Sequence, residues 1–145
     1  MNEQTLKSMS WRALESPAGF NGFVGPFWVH DARGVGLLIG ERHCNPHLGT
    51  LHGGALMTFA DIALGMEAVA DLGEQRFNTV TASLTTQFVS VARIDEFIYC
   101  KAEVLRQSQQ LIFVRGLICV DNRTVASVDG IYKCLAPRSA ATQRG

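Results

Sequence analysis

Residues 53–71 read GGALMTFADIALGMEAVAD, and this stretch decides the fold. Between Ala55 and Ala70 only Thr58, Asp61, Gly65 and Glu67 interrupt the apolar residues. The apolar positions are spread around a helical circumference instead of forming one stripe, which predicts a helix buried on all sides. At ~1.5 Å per residue it would run about 28 Å.

Downstream of this helix come four β-rich runs, 78–92, 96–106, 111–120 and 124–135. The short polar connections between them, at 93–95, 107–110 and 121–123, read as hairpin or meander turns. Alternation is visible in Phe97, Tyr99, Lys101 and Glu103 against Ile98, Cys100, Ala102 and Val104. Upstream, 27–30 and 35–39 read as two strands around a turn at 31–34. Residues 4–15 suggest a short amphipathic helix, and Gly19, Gly22, Gly25 and Pro26 punctuate a loop after it. One buried helix placed before a long antiparallel meander is an α+β plan. Nothing else in the chain is large enough to cover the helix, so the sheet must wrap it.

The 145 residues are expected to form one main domain at 25–136, preceded by a helix and loop at 1–24 and followed by a tail at 137–145. Hydrophobic residues make up 47%, which excludes disorder, while charged residues reach only 18% against a typical ~25%. Thirteen basic residues balance thirteen acidic ones with no basic stripe, so no nucleic acid is expected as partner. No run of eighteen apolar residues exists, so no membrane span is expected. Cys44, Cys100, Cys119 and Cys134 show no CxxC spacing, and the first fifteen residues lack the layout of a secretory signal. Reduced thiols and a cytoplasmic location are the expectation.

The stretch HCNPHLGTLHGG, residues 43–54, ends where the helix begins. Gly53 and Gly54 let a ligand approach the backbone closely, and the unpaired amides of a helix start favour a developing oxyanion. The plainer alternative is a tight entry turn. Asp61 is an acid in the middle of an apolar helix, costly unless paired or used, and reads as functional. Glu67, near the helix end, reads as structural. His43, His47 and His52 with Cys44 suggest a zinc site only loosely, because Pro46 and Gly49 break any helix that would align the first two; no metal is expected. Gly34, Gly36 and Gly40 lie along a strand and lead into no helix, so a dinucleotide loop fails on context.

The residues Asn45…Gly49-Thr50-Leu51-His52-Gly53-Gly54-Ala55…Ala60-Asp61, with the strand TVTASLTTQF at 79–88, resemble the hotdog-fold acyl-CoA thioesterases, specifically the PaaI-like (phenylacetic acid degradation) branch. The likeness covers roughly residues 25–136. It implies a hotdog fold, an acyl-CoA substrate, no cofactor, and hydrolysis of the thioester to a free acid and CoA. Asp61 would be nucleophile or general base, and the Gly53 N–H would polarise the carbonyl. Asn45 would hold the carbonyl or the attacking water, Thr81 would stand near that water, and His52 would shape the loop. Gly54, Ser90, Arg93 and Arg106 would contact the substrate, the two arginines serving the CoA phosphates or standing as plain solubility charges. Relatives place six steps between the Asn and the His; here there are seven, so either the loop bulges or Asn45 is displaced. Phe23, Phe27, Trp28, Phe59 and Phe88 are candidates for an aryl pocket or for plain core. The rivals are a hotdog hydratase or dehydratase, and a non-catalytic acyl-CoA-binding protein.

Geometry adds one expectation. Gly53 and Asp61 are eight residues apart, or ~12 Å along a helix. Catalytic groups must lie within about 3 Å of the reacting atoms, so one carbonyl cannot easily touch both within one chain. A homodimer with shared active sites supplies the pairing twice. The resemblance implies the same, often as a homotetramer.

Overall fold

The computed structural model describes residues 1–15, 18–72 and 78–135, so the expected tail at 137–145 lies outside the described residues. In chain order these form α1 (Glu3–Ser8), β1 (Arg12–Ala13), α2 (Phe20–Val24), β2 (Phe27–His30) and β3 (Gly34–Leu38). A 3-10 turn at Glu41–His43 leads to α3 (Gly53–Asp71). Then follow β4 (Thr79–Phe88), β5 (Phe97–Cys100), β6 (Glu103–Gln107), β7 (Leu111–Val120) and β8 (Arg123–Cys134). The eight strands make one antiparallel sheet in the order β1-β2-β3-β5-β7-β8-β4, with β6 paired to β7. A long helix against a curved antiparallel sheet is the hotdog fold the sequence pointed to.

The helix occupies residues 53–71 as expected, but it is not buried all round. Leu56, Phe59, Ala60, Ala63, Leu64 and Ala68 form one buried stripe against the sheet, at the spacing of a single helical face. Met57, Asp61, Ile62, Gly65 and Met66 are only half-buried, and Val69 is exposed. The open side has a simple cause: one curved sheet covers one side of a cylinder. By length and composition α3 is apolar enough to cross a bilayer. It packs instead against β3, β4, β6, β7 and β8 as a core helix does.

The strands do not follow a simple meander. β4 pairs with β8, while β5 pairs with β3 and β7, so residues 89–96 are a crossover and not a hairpin turn. The run at 96–106 is two strands, because β5 and β6 pair with different parts of β7. The bend sits against Gly116, where an added Cβ would lie 2.6 Å from Cys100 Sγ and 3.5 Å from Ala102 Cα. The turn at 121–122 is a two-residue hairpin, with Val120 opposite Arg123 and Asp121 at φ 49°.

The N-terminal segment also departs from the expected helix at 4–15. The helix stops at Ser8, and Arg12 and Ala13 pair with Val29 and Trp28. Trp11 supplies the reason: it is buried beside Leu6, Trp28 and Phe97, with its ring edge-on to Phe97 at 4.7 Å. Holding it there takes the chain out of the helix and onto the sheet edge. Residues 20–24, expected as loop, form the short helix α2.

Candidate active site

The start of α3 is built by the loop before it. Cys44 bridges Leu51, and Asn45 N–H donates to the Thr50 carbonyl at 2.8 Å. His47 and Gly49, both at positive φ, turn the chain between them. Asn45 Nδ2 donates to Thr50 Oγ1 at 3.2 Å. Asn45 lines the same cleft of about 310 Å³ as Gly53, Phe88 and Ser90. His52 Nδ1 accepts from Gly54 N–H at 2.9 Å and so caps the helix. The Gly53 amide has no acceptor among the described residues. A Cβ built at Gly53 would meet nothing closer than the Phe88 ring at 3.5 Å.

Asp61 lies two turns further along, on the side of α3 that the sheet leaves open. Its Oδ1 accepts from Thr81 Oγ1 at 2.7 Å and from Tyr132 hydroxyl at 3.0 Å. The Tyr132 hydroxyl also lies 2.9 Å from the Asp61 carbonyl oxygen. Thr81 is opposite Tyr132 across the β4–β8 pair, at a bulge between Thr81 and Ser83 that re-aims the strand. Two glycines make room for the phenol. A Cβ at Gly65 would stand 3.3 Å from its ring, and one at Gly130 only 2.8 Å. Burial first, then the neighbouring Asp61 carboxylate, pushes the Tyr132 hydroxyl well above the ordinary phenol range, so it stays a proton donor. The cleft in front holds about 600 Å³ and is lined by Asp61, Ile62, Gly65, Met66, Thr81 and Tyr132 among others.

The expected site residues therefore fall into two groups. Asp61 and Thr81 meet, and Gly54 joins them in an adjoining cleft bordered by Phe20 and Asn21. Gly53, Asn45 and Ser90 line the other cleft, which shares no lining residue with either of Asp61's. The Ser90 hydroxyl donates to the Thr124 carbonyl at 2.7 Å and accepts from Arg123 at 3.2 Å. Arg93 is exposed and bridges Thr50 beside the helix start. Arg106 pairs with Phe113 toward the opposite end of the sheet, so the two arginines do not converge in one chain.

Tyr132, Asn21 and Arg123 were not singled out in the sequence. The signal for Tyr132 was Gly130-x-Tyr132 on the inward face of a strand, a buried hydroxyl that must find a partner. Arg123 ion-pairs with Glu96 at 2.8 Å and ties the 89–96 crossover to β8. Of the histidine cluster, His43 is buried with both ring nitrogens engaged: Nδ1 accepts from Gly40 N–H at 2.9 Å, and Nε2 lies 2.7 Å from the Val24 carbonyl. Among the described residues no three His, Cys, Asp or Glu side chains gather as metal ligands. Of the candidate aryl-pocket residues, Phe27, Trp28 and Phe59 are core, whereas Phe23 and Phe88 are exposed.

Known proteins carry the same framework. Residues 48–127 match the family described as the thioesterase superfamily. A Pseudomonas aeruginosa protein named "Putative esterase PA0474" is 37% identical over 113 residues, 75% of this chain and 83% of that protein. The crystal structure of a Bacillus halodurans protein with CoA superposes with TM-score 0.64 at 30% identity, covering 70% of this chain and 66% of that one, just under two thirds of its length. The E. coli PaaI protein from the phenylacetic acid degradation operon shares the fold, with TM-score 0.65 at 20% identity over 93% of this chain and 86% of that one. With a hotdog framework and a family match running from just before the helix start into the first part of β8, the chain belongs to the thioesterase superfamily.

Proposed function

We propose that the protein hydrolyses an acyl-CoA thioester to a free carboxylic acid and CoA, in the manner of the PaaI-like branch. The observation that carries this reading is the Asp61 carboxylate, set mid-helix on an open cleft with Oδ1 engaged by two hydroxyls. Two routes use it. As general base, Asp61 takes a proton from water while the water oxygen attacks the carbonyl carbon. The C–S bond then breaks, and the departing thiolate receives that proton. As nucleophile, Asp61 itself bonds to the carbonyl carbon, CoA leaves, and water hydrolyses the resulting anhydride. In both, negative charge develops on the carbonyl oxygen, where an amide such as that of Gly53 stabilises it. Asn45 stands beside Gly53 in its cleft. His52 keeps its acceptor nitrogen on the Gly54 amide and holds the helix start. Arg93 is the better placed arginine for a CoA phosphate near Gly53.

The working unit is a homodimer with shared sites. β4 is the sheet edge, paired only with β8, and Val80 and Phe88 on it are exposed. The outer side of α3, with Ile62, Met66 and Val69, is open beside it. A second copy laid on this edge would cover both and bring its Gly53 toward Asp61 of the first.

The test is thiol release from phenylacetyl-CoA and from short- and medium-chain acyl-CoAs, with hydration of an enoyl-CoA followed in parallel. Thioester turnover without enoyl turnover is expected. Enoyl hydration alone would install the hydratase, and binding without turnover would install the acyl-CoA-binding protein.

A further inference from the structure

We infer that Tyr132 is a positioning residue for Asp61, fixing which of its two carboxylate oxygens reacts. The inference rests on the thioesterase reading and deepens it. Thr81 Oγ1 and the Tyr132 hydroxyl both reach Oδ1, at 2.7 and 3.0 Å. Oδ2 has no partner among the described residues. Two donors on one oxygen lower its basicity and leave the second as the better base or nucleophile. They also lock the side-chain torsions, which an aspartate in an open cleft otherwise samples freely.

The Tyr132 hydroxyl is built for this task. Its one hydrogen is shared between Oδ1 and the Asp61 carbonyl, so it grips the carboxylate and the helix backbone together. Gly65 and Gly130 clear the space for its ring, one on the helix and one on the strand. The neighbouring elements offer little competition. α2 and β4 carry no ionisable side chain, and the α3 residues one turn from Asp61 are Met57, Thr58, Leu64 and Gly65. On β8, Cys134 shares the inward face with Tyr132.

The test compares wild type with Tyr132→Phe, which removes one hydroxyl and keeps the ring. Expected is a fall in kcat of about 10-fold or more, the scale of a lost hydrogen bond to a charged group, with KM changed less than about twofold. Thr81→Val should lower kcat too, and the double variant should lose less or more than the product of the two, because both hydroxyls serve one oxygen. The Asp61 carboxyl carbon, followed by carbon NMR, should move in Tyr132→Phe. In wild type it should show a through-bond coupling to a slowly exchanging Tyr132 hydroxyl proton, a readout independent of how the variant folds. Wild-type turnover with unchanged kcat and carboxyl resonance in Tyr132→Phe overturns the inference alone, as does a wild-type hydroxyl that exchanges freely. Wild-type protein that turns over no thioester overturns the thioesterase reading itself.

Discussion

Thr81 on β4 and Asp61 on α3 meet through a 2.7 Å hydrogen bond across twenty residues of sequence. The carboxylate is half-buried at the edge of the open cleft, so its removal leaves no sealed cavity. Asp61→Ala should therefore fold and melt close to wild type while turnover falls by at least ~10²-fold, the lower end of a general-base contribution. Thiol release and a thermal melt on the same preparation decide it. A folded variant with near-normal turnover would remove Asp61 from the mechanism. Single turnover in ¹⁸O-water reveals direct attack where water cleaves the anhydride at the Asp61 carboxyl carbon, since the first product then carries a protein oxygen.

The contact shows where reading a sequence works and where it stops. Helix α3 was legible at both ends because its signals are local: a glycine pair at the start and a largely apolar run, broken only by Thr58, Asp61, Gly65 and Glu67, up to Ala70 before Asp71. β7 was legible for the same reason, as a β-rich run between two polar turns. The open side of α3 was not, since an apolar helix surface looks alike whether a sheet or a second chain covers it. Nor was the place of β4, because its partner β8 lies beyond three other strands in sequence and its own residues name no partner. Asp61 stood out as a lone acid among apolar neighbours. Tyr132 did not, because its meaning comes from a carboxylate 71 residues away.

Gly53 offers a test of ligand approach that the fold itself does not obscure. A methyl group there would rest 3.5 Å from the Phe88 ring, an ordinary contact, at a backbone position with no positive φ. Gly53→Ala should leave the melting temperature within a few degrees of wild type. If a thioester carbonyl comes up to the Gly53 amide, the same methyl group blocks it, and kcat/KM should fall about 10-fold or more. Unchanged kcat/KM in the folded variant would make Gly53 a turn residue only.

The buried His43 predicts how stability depends on pH. Burial, the largest cause, lowers its pKa below the ordinary value of 6.5, and the Arg42 charge adds to this, against the opposing hydrogen bond to Val24. The neutral ring is thus the folded form, with Nδ1 accepting from Gly40. Above pH 6.5 neither state binds the proton and the stability is fully present. As pH falls from 6.5 through the lowered folded value, the unfolded chain gains a proton that the folded chain refuses, and stability declines. Wild-type melts at pH 7.5 and 5.5 should show that loss, and His43→Gln should show a smaller one. An equal loss in both proteins would assign the acid sensitivity elsewhere.

The division of the site between two clefts leads to a complementation experiment. Asp61→Ala removes the acid. Gly53→Pro removes the amide hydrogen, at a first helical position where proline is tolerated, after a His52 whose φ −67° and ψ 136° suit a residue preceding proline. Each homodimer carries one defect in both sites and should be nearly inactive. In a mixed dimer with shared sites, one site collects both defects, while the other pairs native Gly53 from one chain with native Asp61 from its partner. Random pairing makes about half the dimers mixed, each with one good site of two, so co-refolded mixtures should recover up to about a quarter of wild-type activity. Native mass spectrometry checks that mixed dimers form, and a thermal melt checks that Gly53→Pro folds. Should mixed dimers form and stay inactive, the ~12 Å between Gly53 and Asp61 must be bridged within one chain, by substrate lying along α3 and not across a two-fold axis.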